Sequence, residues 1–318
     1  MFDVTAIGEI LIDFTPVGVN EQGYKVFCQN PGGAPANVLV ANSKFGGKTA
    51  FIGKVGNDSF GKFLIKTLKD ANVSTEGIIV DEEVNTTLAF VHLDTNGDRS
   101  FSFYRKPGAD MMLNSNEINE ELIKNCKILH FGSVSLTDEP SRTATLEAVK
   151  LAKSMNKIIS YDPNYRPLLW DNEELAIKEM VNSIKFADIV KVSEEELFLL
   201  TGEKNLEVGS KVIADMGVSL VLVSLGEKGA FYRKNNEFGL VKAYTVDVVD
   251  TNGAGDAFLG AIHYCIKNKS LKYIIEMSKN ELEKILEFAN ASGALATTKN
   301  GAIPAIPTLN EVNALLNK

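Results

Sequence analysis

Cysteine is scarce in this chain, and its placement excludes two common ways of stabilising a small fold. Only Cys28, Cys126 and Cys265 occur among the 318 residues, and they form no CxxC pair. An odd, widely spaced set does not make a disulfide framework, and it lacks the spacing of a zinc site. We therefore expect a protein of a reducing compartment, the cytoplasm.

The chain also lacks an excess of basic charge and any long apolar run. Lys and Arg number 33 against 41 Asp and Glu, for a net charge of -8, and the basic residues are spread along the sequence. This distribution argues against nucleic acid as a partner. No basic segment followed by an apolar stretch begins the chain, and no apolar run approaches a membrane span, so we expect neither export nor a membrane partner.

Several familiar motifs are incomplete. Gly46-Gly47-Lys48-Thr49 resembles the end of a Walker A loop, but the first glycine of that loop is missing. The run from Asp94 to Asp98 resembles a calcium loop, but Arg99 replaces its essential glycine, so we predict a turn. Gly253-Ala254-Gly255 begins like a dinucleotide fingerprint, but Phe258 replaces the third glycine. The three histidines are far apart in sequence, and we expect each to be an ordinary core or surface residue.

What is present is a regular alternation of apolar strands and amphipathic helices. Hydrophobic residues make up 45% and charged residues 23% of the chain, which is typical of globular proteins. Strand patterns at residues 4–14, 50–55, 128–131, 158–161, 189–192 and 220–224 alternate with helical patterns such as 35–45, 60–71 and 141–155. This rhythm predicts a Rossmann-like three-layer α/β/α core with a mostly parallel sheet.

Two segments, at about residues 17–30 and 77–105, supply strands without helices. Asn96-Gly97 lies between the apolar runs 88–93 and 100–104, which indicates a β-hairpin. Such strands do not join a parallel core easily, so we predict a small projecting β-sheet lid inserted in a single domain that spans residues 1–318. The apolar face of this lid needs a partner, either the substrate cleft or a second copy of the chain.

The strongest chemical signal is the run Asp250-Thr-Asn-Gly-Ala-Gly-Asp256, which follows the apolar pair Val248-Val249. We predict a strand, a glycine turn and the start of a helix. Gly253 and Gly255 can adopt backbone angles that other residues avoid, so the amides of residues 254–256 can converge on one anion. Asp256 then lies in the first helical turn, where the helix dipole favours its ionised form. A carboxylate beside a bound phosphate suits proton removal from an attacking hydroxyl.

Together with Pro31-Gly-Gly-Ala-Pro-Ala-Asn37, this run resembles the two signatures of the PfkB, or ribokinase-like, sugar kinases. The similarity extends across nearly the whole chain, and residues 103–105, 162–170 and 191–196 are most similar to fructokinases. The resemblance implies a ribokinase-like fold and ATP-dependent phosphorylation of a sugar hydroxyl, with D-fructose converted to fructose 6-phosphate. Asp256 would be the general base, with Gly253, Ala254 and Gly255 forming the anion hole.

The resemblance also implies a set of sugar-binding residues in the first half of the chain. Asp13, expected at the end of the first strand, would accept hydrogen bonds from two sugar hydroxyls. Gly32 and Gly33 would allow close approach of the backbone, and Asn37 would offer both a donor and an acceptor. Arg166 resembles the family arginine that reaches the acceptor or its developing charge.

The lid would add side chains that cover the sugar. Phe101, Phe103 and Arg105 share one face by strand alternation, and such a mixture suits a polyol. Packing under the hairpin would explain the two phenylalanines equally well.

The nucleotide side would be formed by the second half of the chain. The residues that resemble family positions there are Lys191, Ser193, Ser224, Gly226, Gly229 and Asn290. Glu196 would support hydrated Mg²⁺ through water, since Mg²⁺ sheds water reluctantly. The segment from Ser193 to Glu196 also reads as a capping box at a helix start. The loop 297–301 would help to hold a monovalent cation such as K⁺.

Other functions remain open at this point. A 2-keto-3-deoxygluconate kinase would use Arg105 and Arg166 to hold a carboxylate, and a nucleoside kinase of the same family is a further alternative. Ala34-Pro35 stands where ribokinases tend to have a lysine, which points away from ribose. A nucleotide-binding regulator without catalysis would lack the base or the glycine turn. We expect a homodimer formed through the lid, with a sugar and ATP as small-molecule partners.

Overall fold

The computed structural model describes residues 1–93 and 99–317, with the backbone only at positions 93, 99 and 101. The strands are β1 (Phe2–Ile7), β2 (Leu11–Val19), β3 (Lys25–Gly32), β4 (Thr49–Gly56), β5 (Val73–Asp81), β6 (Leu88–Leu93), β7 (Arg99–Tyr104), β8 (Cys126–Gly132), β9 (Ile158–Asp162), β10 (Ile189–Ser193), β11 (Leu220–Ser224), β12 (Ala230–Lys234) and β13 (Glu237–Val241). The α-helices are α1 (Ala34–Lys44), α2 (Ser59–Asp70), α3 (Glu120–Lys124), α4 (Ser141–Ser154), α5 (Glu173–Ile184), α6 (Glu194–Thr201), α7 (Leu206–Asp215), α8 (Ala254–Ile266), α9 (Leu271–Glu276), α10 (Lys279–Ala296) and α11 (Leu309–Leu316). The predicted turn at 94–98 lies outside the described residues.

The main sheet has the strand order β13-β12-β11-β10-β9-β8-β1-β4-β5. All neighbours from β11 to β5 are parallel, and β12 and β13 add an antiparallel hairpin at one edge. The predicted mostly parallel sheet is therefore confirmed. The carboxyl ends of its parallel strands meet at one edge, where open α/β sheets bind ligands.

Strand β11 shows why helices cover both faces of this sheet. Leu220 and Leu222 belong to a core cluster shared with α1, α8 and α10, whereas Val221 and Val223 belong to a cluster shared with α4 to α7. Successive side chains of a strand point to opposite faces, so a strand that is apolar at every position needs cover on both. The three-layer arrangement follows from this pattern.

A second, smaller sheet forms a lid with the strand order β3-β2-β6-β7. One face of this sheet carries an aromatic cluster in which the rings of Phe14 and Phe90 stack with centroids 4.8 Å apart, and Phe27 and Tyr104 contact Phe90 edge-on. The boundaries differ from those predicted. Residues 11–16 belong to the lid, whereas residues 77–81 complete β5 at the edge of the main sheet.

The predicted first strand at 4–14 is wrong, because the chain leaves the main sheet after β1. The backbone turns at Gly8, where a Cβ would lie 2.7 Å from Pro35 Cγ. The apolar pattern hides this break, since Ile10 and Ile12 are as fully buried as Ile7 before the turn. Hydrophobic periodicity reports burial, and here burial continues from one sheet into the other.

The predicted strand before the glycine turn is also wrong. Val248 and Val249 are 62% and 54% exposed, and they lie in a loop. The N–H groups of Val249 and Asp250 donate to the Thr297 carbonyl at 2.8 and 3.1 Å, at the end of α10. The segment thus bonds to the end of a helix and does not pair with a strand. Its two valines are therefore not buried in a sheet.

Two of the three histidines, which are far apart in sequence, are neighbours in the fold. The rings of His130 and His263 have centroids 5.4 Å apart, and both bond to Ser160 Oγ, at 3.3 and 2.7 Å. Burial lowers the pKa of His130 to about 4. Both are core residues, and within residues 1–93 and 99–317 no group of three or more His, Cys, Asp or Glu side chains could hold a metal ion.

In the same ranges no helix combines the length and the apolar character of a membrane span.

Candidate active site

Helix α8 begins at the predicted glycine turn. Gly253 caps the helix in the left-handed conformation, with φ 75° and ψ 0°, and Asp256 is buried in the first turn. The first N–H groups of a helix have no carbonyl partner within it, so they are available to an anion. One of the three predicted donors, the Ala254 N–H, makes a long 3.4 Å contact with the Thr251 carbonyl. The start of α8 is therefore a candidate phosphate site.

Two cavities meet at this turn. The first has a volume of about 420 Å³ and includes Asn252, Gly253 and Asp256 in its wall. The second has a volume of about 760 Å³ and includes Thr251, Ala254 and Gly255. Residues that are adjacent in the chain thus face different cavities. A group bound in one cavity meets a group bound in the other at the glycine turn.

The first cavity brings together seven of the predicted site residues: Asp13, Gly33, Asn37, Phe103, Arg166, Gly253 and Asp256. Gly32 lies behind Asp13, and a Cβ there would overlap the Asp13 carboxylate. The wall also contains residues that we did not predict as site residues, among them Glu9, Asn164, Tyr165 and Leu168. The sequence signal for these residues was weak. Similarity to the family singled out the stretch 162–170 as a whole, and nothing singled out Glu9.

Asp13 lies at the root of the lid, opposite Asn30 in the β2–β3 pair, and is not at the end of the first strand as predicted. Burial raises the pKa of Asp13 to about 6, although the positive charge of Arg166 opposes the shift. A carboxylate at the boundary between lid and core can hold sugar hydroxyls while the lid covers them.

Arg105 does not line the cavity, in contrast to the prediction that it faces the sugar. Its guanidinium is buried and donates to Asp110 at 2.8 Å, to Thr137 at 2.8 Å and to the Val134 carbonyl at 3.0 Å. Strand β7 ends at Tyr104, so alternation no longer governs the next residue. The side chain of Phe101 lies outside what the structure describes.

Asp256 is buried, and burial together with the charge of Asp162 raises its pKa to about 6. Burial therefore opposes the helix dipole, which was expected to favour the ionised form of Asp256. Asn37 Nδ2 donates to Asp256 Oδ2 at 2.8 Å, and Lys191 and Arg166 also favour the ionised form. A carboxylate with a pKa close to neutrality suits a general base.

Behind the turn lies a buried ion pair. Lys191 Nζ is 2.9 Å from Asp162 Oδ2, and both side chains are almost fully buried. Burial alone would lower the pKa of Lys191, but Asp162, Glu196 and Asp256 raise it. A Cβ at Gly255 would lie 2.8 Å from Lys191 Nζ, so a larger residue at this position would displace the ammonium group. Three carboxylates therefore share one ammonium group, which leaves a local excess of negative charge.

Glu196 forms the capping box that its sequence predicts. Its carboxylate accepts the Tyr165 and Ser193 N–H groups, each at 2.7 Å, and Ser193 Oγ accepts the Glu196 N–H at 3.1 Å. Burial and the nearby Asp162 raise the pKa of Glu196. Since both carboxylate oxygens already accept hydrogen bonds, an interaction with a metal through water fits better than direct ligation.

The second cavity contains Ser224, Gly226, Gly229 and Asn290, as predicted, whereas Lys191, Ser193 and Glu196 do not line it. Asn290 Nδ2 donates to the Val241 and Lys242 carbonyls at 2.9 and 3.1 Å, which joins α10 to the end of β13. The wall also includes Tyr244, Val246 and Val248 from the loop after β13. We did not predict this loop as part of the site, because it has no periodic pattern.

The comparisons with known proteins agree with this geometry. Residues 1–309 match the pfkB family carbohydrate kinase model. Probable fructokinase-4 of Arabidopsis thaliana is 44% identical over 316 residues, which cover 98% of this chain and 96% of that protein. The ATP-bound fructokinase of Xylella fastidiosa has a TM-score of 0.92 at 34% identity, covering 100% of this chain and 99% of that one.

A double mutant of the Vibrio cholerae O395 fructokinase, in a form with bound fructose, ADP and potassium ion, is also similar in structure. It has a TM-score of 0.89 at 36% identity and covers 98% of this chain and 97% of that one. The family match spans most of the chain, and the fold and the glycine turn agree with it. The chain belongs to the pfkB family of carbohydrate kinases and is a sugar kinase.

Proposed function

We propose that this protein is an ATP-dependent fructokinase that converts D-fructose to fructose 6-phosphate. The observation that carries the proposal is the glycine turn between two cavities, with the carboxyl group of Asp256 on the side of the first. The similarity to plant and bacterial fructokinases supports fructose as the sugar. The Vibrio cholerae relative binds fructose and ADP.

The mechanism follows from the placement of the groups. The sugar hydroxyl gives its proton to Asp256 while its oxygen forms a bond to the γ-phosphorus of ATP. The bond from that phosphorus to the β,γ-bridging oxygen breaks, and ADP leaves. Amides at the start of α8 stabilise negative charge on the transferring group. Asp13 holds the sugar, and Arg166 adds positive charge at the cavity wall.

Mg²⁺ and a monovalent cation fit the residues present. Asp162, Glu196 and Asp256 outnumber Lys191 and Arg166 near the turn, which favours a hydrated cation there. Bound Mg²⁺ would neutralise charge on the phosphates. For a monovalent cation, the buried Asp250 carboxylate accepts the Asn252 and Gly301 N–H groups at 3.0 Å each. It thereby joins the loop 297–301, which would supply carbonyls, to the turn before α8.

The paired state of Arg105 weakens the leading alternative. A 2-keto-3-deoxygluconate kinase was expected to hold its carboxylate with Arg105 and Arg166, but Arg105 is bound to Asp110 and does not line the cavity. A coupled ADP-release assay over fructose, 2-keto-3-deoxygluconate, ribose, glucose and nucleosides tests the assignment. We expect the highest kcat/KM for fructose, and turnover of the acidic sugar alone would contradict the proposal.

We also propose that a second copy of the chain covers the exposed apolar side chains of the lid. The most exposed of these are Val17, Val19, Tyr24 and Tyr104, with exposures from 61% to 71%. Exposed apolar residues on a small sheet are a liability for a monomer. Sedimentation equilibrium is expected to give a dimer, and Val19→Lys combined with Tyr24→Lys is expected to shift it toward monomer. A monomeric parent protein at micromolar concentration would exclude this interface.

A further inference from the structure

The contact between helix α1 and the base of the proposed reaction assigns a further role to Asn37. We propose that Asn37 is a positioning residue for Asp256, so that the helix bordering the sugar cavity also holds the general base in place. This inference rests on the proposed function, because it concerns the base of that reaction. It adds to the expected role of Asn37 in sugar binding a second role that does not require a sugar.

The hydrogen bond itself is the first observation. Asn37 Nδ2 lies 2.8 Å from Asp256 Oδ2, and both side chains are more than nine-tenths buried. The amide donates to an oxygen of the same carboxyl group that receives the sugar proton. A buried hydrogen bond to a charged group is shorter and stronger than one between neutral groups. It can therefore determine which oxygen of Asp256 turns toward the cavity.

The close packing of α1 against α8 makes this contact possible. Gly260 lies one turn beyond Asp256, and a Cβ there would come within 2.6 Å of both Ala41 Cβ and the Val38 carbonyl oxygen. Only a glycine allows the two helices to approach so closely. A larger residue at this position would separate the helices and pull Asn37 away from the carboxylate.

A second asparagine on α1 shows which feature is specific. Asn42 is also fully buried and also reaches α8, where its Nδ2 donates to the Gly260 carbonyl at 3.4 Å. It thus joins the same two helices but does not contact Asp256. The chain therefore contains its own matched control, since removal of either amide removes one hydrogen bond between α1 and α8.

The charged groups around Asp256 shift its pKa in both directions. Asp162 at the end of β9 disfavours a charge on Asp256, while Lys191 on β10 and Arg166 after β9 favour it. Of Asn37, Asp162, Lys191 and Arg166, only Asn37 donates a hydrogen bond to the Asp256 carboxyl group in the part of the chain that the structure describes. Without this bond, burial and Asp162 would be opposed by two more distant charges alone.

The test is the pH profile of kcat for the full-length enzyme with saturating fructose and MgATP. In Asn37→Ala, we expect the acidic limb of the profile to move upward by about one pH unit. At about pH 5, below both pKa values, kcat is then expected to fall by about tenfold, and at pH 7 by about twofold. Asn37→Asp keeps the shape but places a second carboxyl group against the base. Because the two would share a proton, its limb is expected to move further. The second variant keeps the test decisive if the first does not fold.

Asn42→Ala is the control, and it is expected to lower the melting temperature without moving the limb. An unmoved limb in both Asn37 variants, with only the KM for fructose raised, would show that Asn37 serves the sugar alone. If the acidic limb moved equally in Asn42→Ala, looser packing of α1 against α8 would explain the shift in the Asn37 variants. Either result overturns the inference.

A measurement without turnover separates this inference from the proposed function. The Asp256 carboxyl carbon can be titrated by ¹³C NMR in aspartate-labelled protein and assigned by comparison with Asp256→Asn. We expect a higher pKa in Asn37→Ala than in the parent, even if the true acceptor is another sugar. Failure of fructose in the assay would then count against the substrate, and an unchanged titration would count against the role of Asn37.

Discussion

Asp256→Asn is expected to lower kcat by about 10²- to 10⁴-fold, the range of general-base catalysis, while the protein still folds and binds fructose. The amide has nearly the shape of the carboxylate but cannot accept the proton of the attacking hydroxyl. The substitution also removes a buried carboxyl group, and burial raises the pKa of that group to about 6. We therefore expect little loss of thermal stability. Initial rates and calorimetric titration with fructose measure the two effects separately.

A matched control for this variant exists in another helix. Glu281 occupies the third position of α10, as Asp256 does in α8, but its carboxylate contacts Tyr273 and Lys269 at the surface. Glu281→Gln therefore removes an acidic group from a first helical turn without touching either cavity. Its kcat is expected to equal that of the parent. Turnover of Asp256→Asn within a few fold of the parent would remove Asp256 from the mechanism.

Asp13→Ala is expected to lower kcat/KM for fructose by at least about 10²-fold. Hydrogen bonds to a charged group contribute about 1.5–3 kcal/mol each, and the carboxylate is expected to accept two from the sugar. Each 1.4 kcal/mol corresponds to about tenfold in affinity. The KM for ATP should change little, because Asp13 lines the first cavity and not the second.

Gly32→Ala tests the same site without removing the carboxylate. A Cβ at this position would overlap Asp13 Oδ2, so the carboxylate has to move and the KM for fructose is expected to rise. Glu21→Ala is the control, since Glu21 is an exposed acidic residue of the same lid, between β2 and β3. If Asp13→Ala binds fructose as the parent does by titration calorimetry, the sugar lies elsewhere.

Much of the site was predictable because its residues lie in local patterns. The glycine run from 253 to 255 indicates a helix start that can bind an anion, whatever the rest of the chain does. Apolar strands at 189–192 and 220–224 likewise require cover on both faces and so predict the parallel core. These features depend on neighbours within about ten residues, and a sequence displays them directly.

The errors occurred where burial and secondary structure diverge. The run from Val4 to Phe14 is apolar throughout but crosses from one sheet to another, so Asp13 belongs to the lid. Val248 and Val249 look like a strand but are exposed in a loop at the second cavity. Arg105 shares a pattern with Phe103 but turns to a buried partner, Asp110. The local sequence does not determine which part of the fold a segment will pack against.

The sequence by itself determined the family, the parallel core and the glycine turn that begins a helix, and it predicted Asp256 as the base, since each is written in contiguous residues. Only the tertiary structure decided what surrounds that base. Asn37 and Asp256 are 219 positions apart, and their hydrogen bond exists because α1 and α8 pack closely at Gly260. The two cavities likewise form between remote segments. Contacts of this kind follow from the packing of whole helices and sheets, which no local pattern records.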